Sequence, residues 1–166
     1  VRVVLNGDGG DEVFAGYRHF LAGRAADRVG WLTGAPAQTA LALLPAPRTG
    51  RTRYQFLYRF LHVLAAAPEE RYLALTFDGL NEREKTAAYG AARPELLPSH
   101  RHVSAIDTAG LGPVDRLLRQ DFHLLLADDH LVKMDMATMA HTLEGRSPFL
   151  DHELIEFVAR LPENVR

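Results

Sequence analysis

Hydrophobic positions along the 166-residue chain change period several times, and each change marks an element. Val1-Arg2-Val3-Val4-Leu5 is β-branched and nearly continuously apolar, the pattern of a buried parallel strand, and Asn6-Gly7-Asp8-Gly9-Gly10 follows at once as a tight loop. From Asp11 the period becomes helical. Val13, Phe14, Tyr17 and Leu21 recur on one face, with Asp11 and Glu12 in or before the first turn, where acids suit the helix dipole. The opening is predicted to be a strand, a glycine loop and a helix.

Residues 35–53 carry Pro36, Pro45 and Pro47 and end in the basic stretch Arg48-Thr49-Gly50-Arg51-Thr52-Arg53, which predicts a break or exposed loop between helices. Tyr54 to Ala67 then has a helical pattern closed by Pro68, and Glu69-Glu70-Arg71-Tyr72 opens another helix. Asn81 before Glu82-Arg83-Glu84-Lys85 reads as a capped helix start. Pro94, Pro98, Gly110, Gly112 and Pro113 make residues 90–113 a set of irregular connections. Val114 to Ala127 forms the next predicted helix, and Asp128 or Asp129 caps a further one through His141. There Val132, Met136, Met139 and Leu143 form one apolar stripe expected to pack in the core. Asp151 caps a last helix bearing Leu154, Ile155, Val158 and Leu161. The chain therefore reads as an α/β piece, mostly helical with one or a few parallel strands and without internal repeats. Its start inside a strand without methionine, and its stop just after a helix, read as an excised part of something longer.

Composition narrows the classes of function. A 47% hydrophobic and 24% charged sequence of this length can bury a core as one domain. Nineteen basic against twenty-one acidic residues leave a net charge of −2, so nucleic acid is not an expected partner. No apolar run approaches a membrane span, and the expectation is a soluble, cytoplasmic chain without a membrane partner. The absence of cysteine removes disulfides, a thiolate nucleophile and thiolate zinc sites. No Gly-x-Ser-x-Gly turn is present, and the His100-Arg101-His102 segment has no carboxylate at ligand spacing.

Two clusters carry candidate chemistry. In Asn6-Gly7-Asp8-Gly9-Gly10-Asp11-Glu12 three glycines let the backbone approach a ligand and expose N–H groups where a helix begins, a place that suits phosphate. Asp8, Asp11 and Glu12 would repel a bare polyphosphate, so the arrangement makes sense with a divalent cation such as Mg²⁺ between carboxylate and phosphate oxygens. A glycine turn with an acid capping the next helix is the purely structural alternative. The loop is no Walker A motif, since no Gly-Lys-Ser/Thr follows. In the second cluster, Glu144 and Arg146 flank Gly145 in an apolar setting, where each charge needs a counter-charge or a charged ligand. Arg146 pairs within the protein or presents its planar fork to phosphate or carboxylate. Lys133 lies four residues after Asp129, a favourable helical pair.

Taken together, the clusters resemble a known family. Val3-Val4-Leu5-Asn6-Gly7-Asp8-Gly9-Gly10-Asp11-Glu12-Val13-Phe14-Ala15-Gly16-Tyr17 is similar to the Ser-Gly-Asp/Glu-Gly-x-Asp-Glu-x-Phe-x-Gly-Tyr segment of the synthetase domain of glutamine-hydrolysing asparagine synthetases. Asp128-Asp129-His130-Leu131-Val132-Lys133-Met134-Asp135 and Glu144-Gly145-Arg146-Ser147-Pro148-Phe149-Leu150-Asp151-His152 resemble that family's Asp-Asp-x-Leu-x-Lys-x-Asp and Glu-x-Arg-x-Pro-Phe-Leu-Asp segments, in the same order. The resemblance implies that residues 1–166 are part of one asparagine synthase domain of the pyrophosphatase-loop (adenine nucleotide alpha hydrolase-like) type. ATP and Mg²⁺ would activate the aspartate side chain as an acyl-adenylate, and ammonia from a glutaminase domain acting on glutamine would displace AMP to give asparagine. By motif position, Asp11 is the implied magnesium ligand, and Asn6, Gly7, Asp8 and Gly9 the nucleotide or adenylate contacts. Asp8 would face the reacting acyl centre and Arg146 would help hold charge near the phosphates or support the site through Glu144, with Glu12, Lys133 and Glu144 in support. A homodimer is compatible with this reading.

The departures are equally specific. Asn6 stands where the family has serine, Met136 where a basic residue is common, and Gly145 in place of a larger residue. The Ser-Gly-Gly-x-Asp-Ser pyrophosphate loop expected before Val1, the glutaminase domain and a lysine-bearing segment expected beyond Arg166 are not within these residues, so this piece is not expected to catalyse alone. Relatives that close β-lactam rings or cyclise peptides resemble the same segments. The acid at position 8 favours amidation, since the β-lactam formers tend to carry tyrosine there. The alternative from another class is a non-catalytic helical scaffold that keeps the motifs as structure.

Overall fold

The computed structural model describes residues 2–47, 52–77, 80, 82–90, 97–163 and 165. The expectations that fall on Val1, on the basic residues 48–51, on the Asn81 cap and on residues 91–96 lie outside the described residues. The chain divides into two compact units, Val1–Leu21 with Thr108–Arg166, and Ala22–Asp107.

The first unit holds both sequence clusters. Strand β1 (Val3–Leu5) pairs in parallel with a strand β2 (Glu144–Arg146), in the register Val3 with Glu144, Val4 with Gly145 and Leu5 with Arg146. The parallel strand is as expected, but its burial is not, because Val3 and Leu5 are exposed in this chain. Its partner was not legible in the sequence: Glu144-Gly145-Arg146 has neither apolar alternation nor β-branched residues.

Instead of one helix from Asp11 to Leu21, there are two: α1 (Gly10–Phe14) and α2 (Arg18–Arg28). Ala15 turns left-handed at φ 55°, and the Gly16 N–H donates to the Asp11 carbonyl at 3.0 Å, closing α1 after little more than one turn. A Cβ at Gly16 would overlap the Asp11 carboxylate as it lies here, so a larger residue would displace that side chain.

The region read as two helices separated by an Asp128 or Asp129 cap is one helical run. Helix α8 (Pro113–Asp121) passes into a π-wound segment (Phe122–His130) and then α9 (Leu131–Met139), with helical dihedrals at both junctions. Neither aspartate caps anything; both lie inside the π segment. In α8, Val114, Leu117 and Leu118 are buried at helical spacing, and the next position of that stripe is Asp121, fully buried. The stripe of Val132, Met136 and Met139 is a correction in the other direction. All three are exposed, Met136 at 69%, so they form no core here. Thr142, at φ 55°, turns the chain toward β2. A 3₁₀ turn (Pro148–Leu150) leads into α10 (His152–Ala159), where Asp151 accepts from the Glu153 and Leu154 N–H groups at 3.0 and 3.2 Å, the cap read from sequence. Val158 of that helix is buried, as are Val13, Phe20 and Leu126 of this unit.

The second unit is helical. Pro36 does not break the chain; it occupies the first turn of α3 (Ala35–Leu43), where proline's missing N–H costs nothing and its fixed φ suits a helix. Helix α4 (Arg53–Ala65) is capped by the Thr52 hydroxyl, which accepts from Gln55 N–H, and α5 (Arg71–Thr76) follows Pro68 as expected. Ala26, Ala37, Val63 and Leu64 form its core, with Phe60, Leu61 and Leu75 packed around them. Helix α6 (Glu82–Tyr89) is tied down by Glu82, whose carboxylate accepts from Lys85 Nζ at 2.8 Å and from Ser99 N–H at 2.9 Å. The Lys85 bond first, then those from Ser99, hold that carboxyl at about 2, well below the usual range. Within the stretch expected to be irregular, a short helix α7 (Arg101–Ser104) forms around buried Val103. No helix among the described residues is long and apolar enough to cross a membrane.

Candidate functional site

The β1–β2 pairing carries the glycine loop to the Glu-Gly-Arg segment. Asn6 N–H donates to the Arg146 carbonyl at 2.9 Å, extending the ladder by one residue, and the Ser147 hydroxyl donates to the Asp8 carbonyl. Within the loop, Asp8 N–H donates to Asn6 Oδ1 at 3.3 Å and Gly10 N–H to the Gly7 carbonyl at 3.2 Å. Asn6, which stands where the family has serine, therefore braces the loop with its amide oxygen.

The loop has a packed side and an open side. Gly9 sits at φ 87°, and a Cβ there would overlap the Leu150 side chain. Gly10 lies against the Phe149 ring, which meets Phe14 edge to face with centroids 6.1 Å apart. Among the described residues outside its chain neighbours, nothing lies within 4 Å of where a Cβ of Gly7 would be. Asp8 Oδ2 is buried with no hydrogen-bond partner among the described residues. A buried carboxylate oxygen left in that state is costly, and a donor or a cation brought by a ligand would relieve it. Asp11, exposed in the first turn of α1, folds its carboxylate over Gly16. Among the described residues, no group of three or more His, Asp or Glu side chains is poised to hold a metal ion. Mg²⁺ carried by a nucleotide takes one or two protein carboxylates and completes its shell with phosphate and water. The orphaned oxygen of Asp8, the open face at Gly7 and the exposed Asp11 are compatible with that group.

Arg146 and Glu144 pair with each other, Nε to Oε1 at 2.8 Å, with their side chains 64% and 56% exposed. The counter-charge expected from sequence is present, but the apolar setting is not. At Gly145 a Cβ would meet Met134, Thr138 and the Asn6 amide at 3.4–3.6 Å, so β2 runs close against α9 at this point.

Beneath the loop lies a polar cluster that sequence reasoning recorded only in part. Glu12, 3% exposed, accepts from the Tyr17 hydroxyl at 2.7 Å, and its Oε1 lies 3.2 Å from His130 Nδ1. His130 Nε2 is 3.8 Å from Asp129 Oδ2, which pairs with Lys133 Nζ at 2.8 Å. The Asp129–Lys133 pair is the one expected from spacing, and the contacts of His130 connect it to Glu12. Tyr17 stacks on His19, whose Nε2 is 2.6 Å from Asp121 Oδ2. Burial, then the bond to Glu12 and the charges of Glu12, Asp11 and Asp121, push the Tyr17 hydroxyl well above the usual phenol range, so it remains a donor.

Of the residues singled out in the sequence, Asn6, Gly7, Asp8, Gly9 and Asp11 share the loop, Glu144 and Arg146 lie beside it through strand pairing, and Glu12 and Lys133 join beneath it. His130, His19 and Asp121 were missed. One signal existed for Asp121: a carboxylate at the position where the Val114, Leu117, Leu118 stripe calls for an apolar residue.

Over residues 1–166 the chain matches the asparagine synthase family, and it belongs to that family. It is 34% identical over 171 residues to a glutamine-hydrolysing protein described as "putative asparagine synthetase" in Mycobacterium bovis and in Mycobacterium tuberculosis, with the whole chain covered and 25% of each relative. It is 26% identical over 187 residues to asparagine synthetase (glutamine-hydrolysing) 1 of Bacillus subtilis, covering 26% of that protein. The chain thus spans about a quarter of the length of the curated relatives it matches. No solved structure matches it.

Proposed function

We propose that this chain supplies part of the nucleotide and metal site of a cytoplasmic ligase that amidates aspartate to asparagine, using ATP, Mg²⁺ and ammonia released from glutamine by a glutaminase domain. The fold of the complete domain is then of the pyrophosphatase-loop type. The observation that supports this reading most directly is the parallel pairing of Val3–Leu5 with Glu144–Arg146, which sets the loop from Asn6 to Glu12 beside Arg146.

In this reading the aspartate side-chain carboxylate attacks the α-phosphorus of ATP, and the bond to pyrophosphate breaks. Ammonia then attacks the acyl carbon of the acyl-adenylate and AMP leaves. Mg²⁺, when bound, would supply charge that neutralises the phosphates. Asp11 would be its protein ligand, exposed at the start of α1 with its carboxylate in the space that Gly16 leaves open. Gly7 offers the nucleotide an approach that no side chain among the described residues obstructs, and Asn6 and Gly9 shape that approach, one through its amide, the other through its left-handed turn. Asp8 faces the acyl centre and uses its unpaired oxygen as an acceptor there. Arg146 exchanges Glu144 for phosphate, a low-cost exchange because an exposed ion pair is worth at most about 1 kcal/mol.

The test is aspartate-dependent exchange of pyrophosphate into ATP by the complete protein and by its Asp11→Asn variant. Wild-type exchange that the substitution abolishes, with the melting temperature nearly unchanged, is the expected result. Exchange that survives the substitution removes Asp11 from the metal site. Exchange supported only by other carboxylic acids moves the assignment to a related adenylating ligase, and none with any acid leaves the motifs as architecture.

A further inference from the structure

The run from Pro113 to Met139 changes its winding at a place with consequences for the loop. Asp121 and His130 are nine residues apart at the two ends of the π-wound segment. At about 3.6 residues per turn, nine residues make roughly two and a half turns and would put them on opposite faces. With the i to i+5 bonding of a π-helix, at about four and a half residues per turn, nine residues make roughly two turns and put them on the same face. Both reach one cluster: Asp121 meets His19, which stacks on Tyr17, and His130 meets Glu12, which holds the Tyr17 hydroxyl.

We propose that His130 is a positioning residue for the metal ligand Asp11, acting through Glu12. This rests on the reading of Asp11 given above. Helix α1 has five residues and cannot maintain its own orientation, since so short a helix is not stable by itself. Its direction is set by what grips its side chains. Val13 is buried in the core, and Glu12 is gripped by two groups from different parts of the chain: Tyr17 just after α1 and His130 at the end of the π segment. Asp11 precedes Glu12 directly, so any rotation of α1 that releases Glu12 swings Asp11 away from where it points now. Tyr17 follows α1 by only three residues and reaches the long helical run indirectly, through His19 and Asp121, whereas His130 belongs to that run itself. Nδ1 of His130 is therefore a direct contact from that run to the residue beside Asp11, and it adds to the packing of Val13 and of Phe14 on Phe149. Asp129 and Lys133, paired on the next turn, flank His130 on its Nε2 side.

The experiment is a titration of Mg²⁺ into the complete protein with AMP-PNP, followed by calorimetry, for wild type, His130→Ala, His130→Asn and His130→Gln. An asparagine amide nitrogen reaches the place of Nδ1, while glutamine carries its amide to that of Nε2. Loss of a group that orients a metal ligand weakens metal affinity by about tenfold to a hundredfold. His130→Ala and His130→Gln are expected to show such a loss in apparent Mg²⁺ affinity, His130→Asn to stay within about threefold of wild type, and AMP-PNP binding in EDTA to be the same for all four. Melting curves accompany each variant, and if the alanine variant does not fold, asparagine against glutamine makes the comparison. Unchanged Mg²⁺ affinity in the glutamine variant, or equal losses in asparagine and glutamine, overturns the positioning role while the proposed function stands. A wild-type protein that binds no Mg²⁺ with AMP-PNP overturns the proposed function and this inference together.

Discussion

Glu12 and Glu144 are both acids in short elements that the β1–β2 pairing brings near each other, yet they occupy opposite environments. Glu12 is buried under the glycine loop, with a tyrosine hydroxyl and a histidine nitrogen on one carboxylate oxygen. Glu144 is more than half exposed and holds a single arginine that is equally exposed. A buried carboxylate is tolerable only if its partners are rigidly supplied, so Glu12 belongs to the framework. An exposed pair costs little to open, so Glu144 and Arg146 are free to reorganise around a charged ligand. Two acids that look alike in sequence thus divide the work: one holds the loop in place and the other leaves an arginine available.

Three substitutions break or sharpen this contrast. The largest effect is expected from Glu12→Ala, which leaves the Tyr17 hydroxyl and His130 without their acceptor and should lower unfolding free energy by about 3 kcal/mol or more. A denaturant titration of the complete protein reads it, and a loss below about 1 kcal/mol would mean that Glu12 is not framework at all. Next is Gly9→Ala, where a Cβ in a left-handed conformation also collides with Leu150; about 1–3 kcal/mol is expected. A thermal melt checks it, and retention of full stability would show that the loop's packed side yields easily. The smallest stability effect is expected from Arg146→Ala, within about 1 kcal/mol, because only an exposed pair is lost. Its activity in pyrophosphate exchange should fall far more than its stability. Equal and small changes in both would make Arg146 a surface residue and end the contrast.

Much of the first unit could be read along the chain. The helix start near Asp11, the Asp151 cap and the Asp129–Lys133 pair all depend on interactions within a turn or two, and each formed as its pattern indicates; the strand at Val3–Leu5 formed too, but exposed where its pattern indicates burial. Readings that needed to know what lies on the far side of an element fared worse. The methionine stripe has the spacing of a core face but is exposed, and Pro36 and Pro45 looked like a common interruption although α3 runs between them. Period describes which residues share a face, not what covers it.

What the sequence determined by itself is the family and the local chemistry: a glycine loop flanked by acids, an arginine segment in the right order behind it, and the Asp151 cap that starts the last helix. These are short-range properties, set by backbone freedom at glycine and by side chains that bond their own neighbours. The tertiary structure alone decided that Glu144-Gly145-Arg146 is a strand, since its pairing with Val3–Leu5 comes from a partner distant in the chain. It also decided that Asp121 and His130 face one cluster. A helical wheel drawn with the ordinary period separates them, and only the wider winding between them, kept by packing against α1 and the residues that follow it, turns both toward Tyr17 and Glu12.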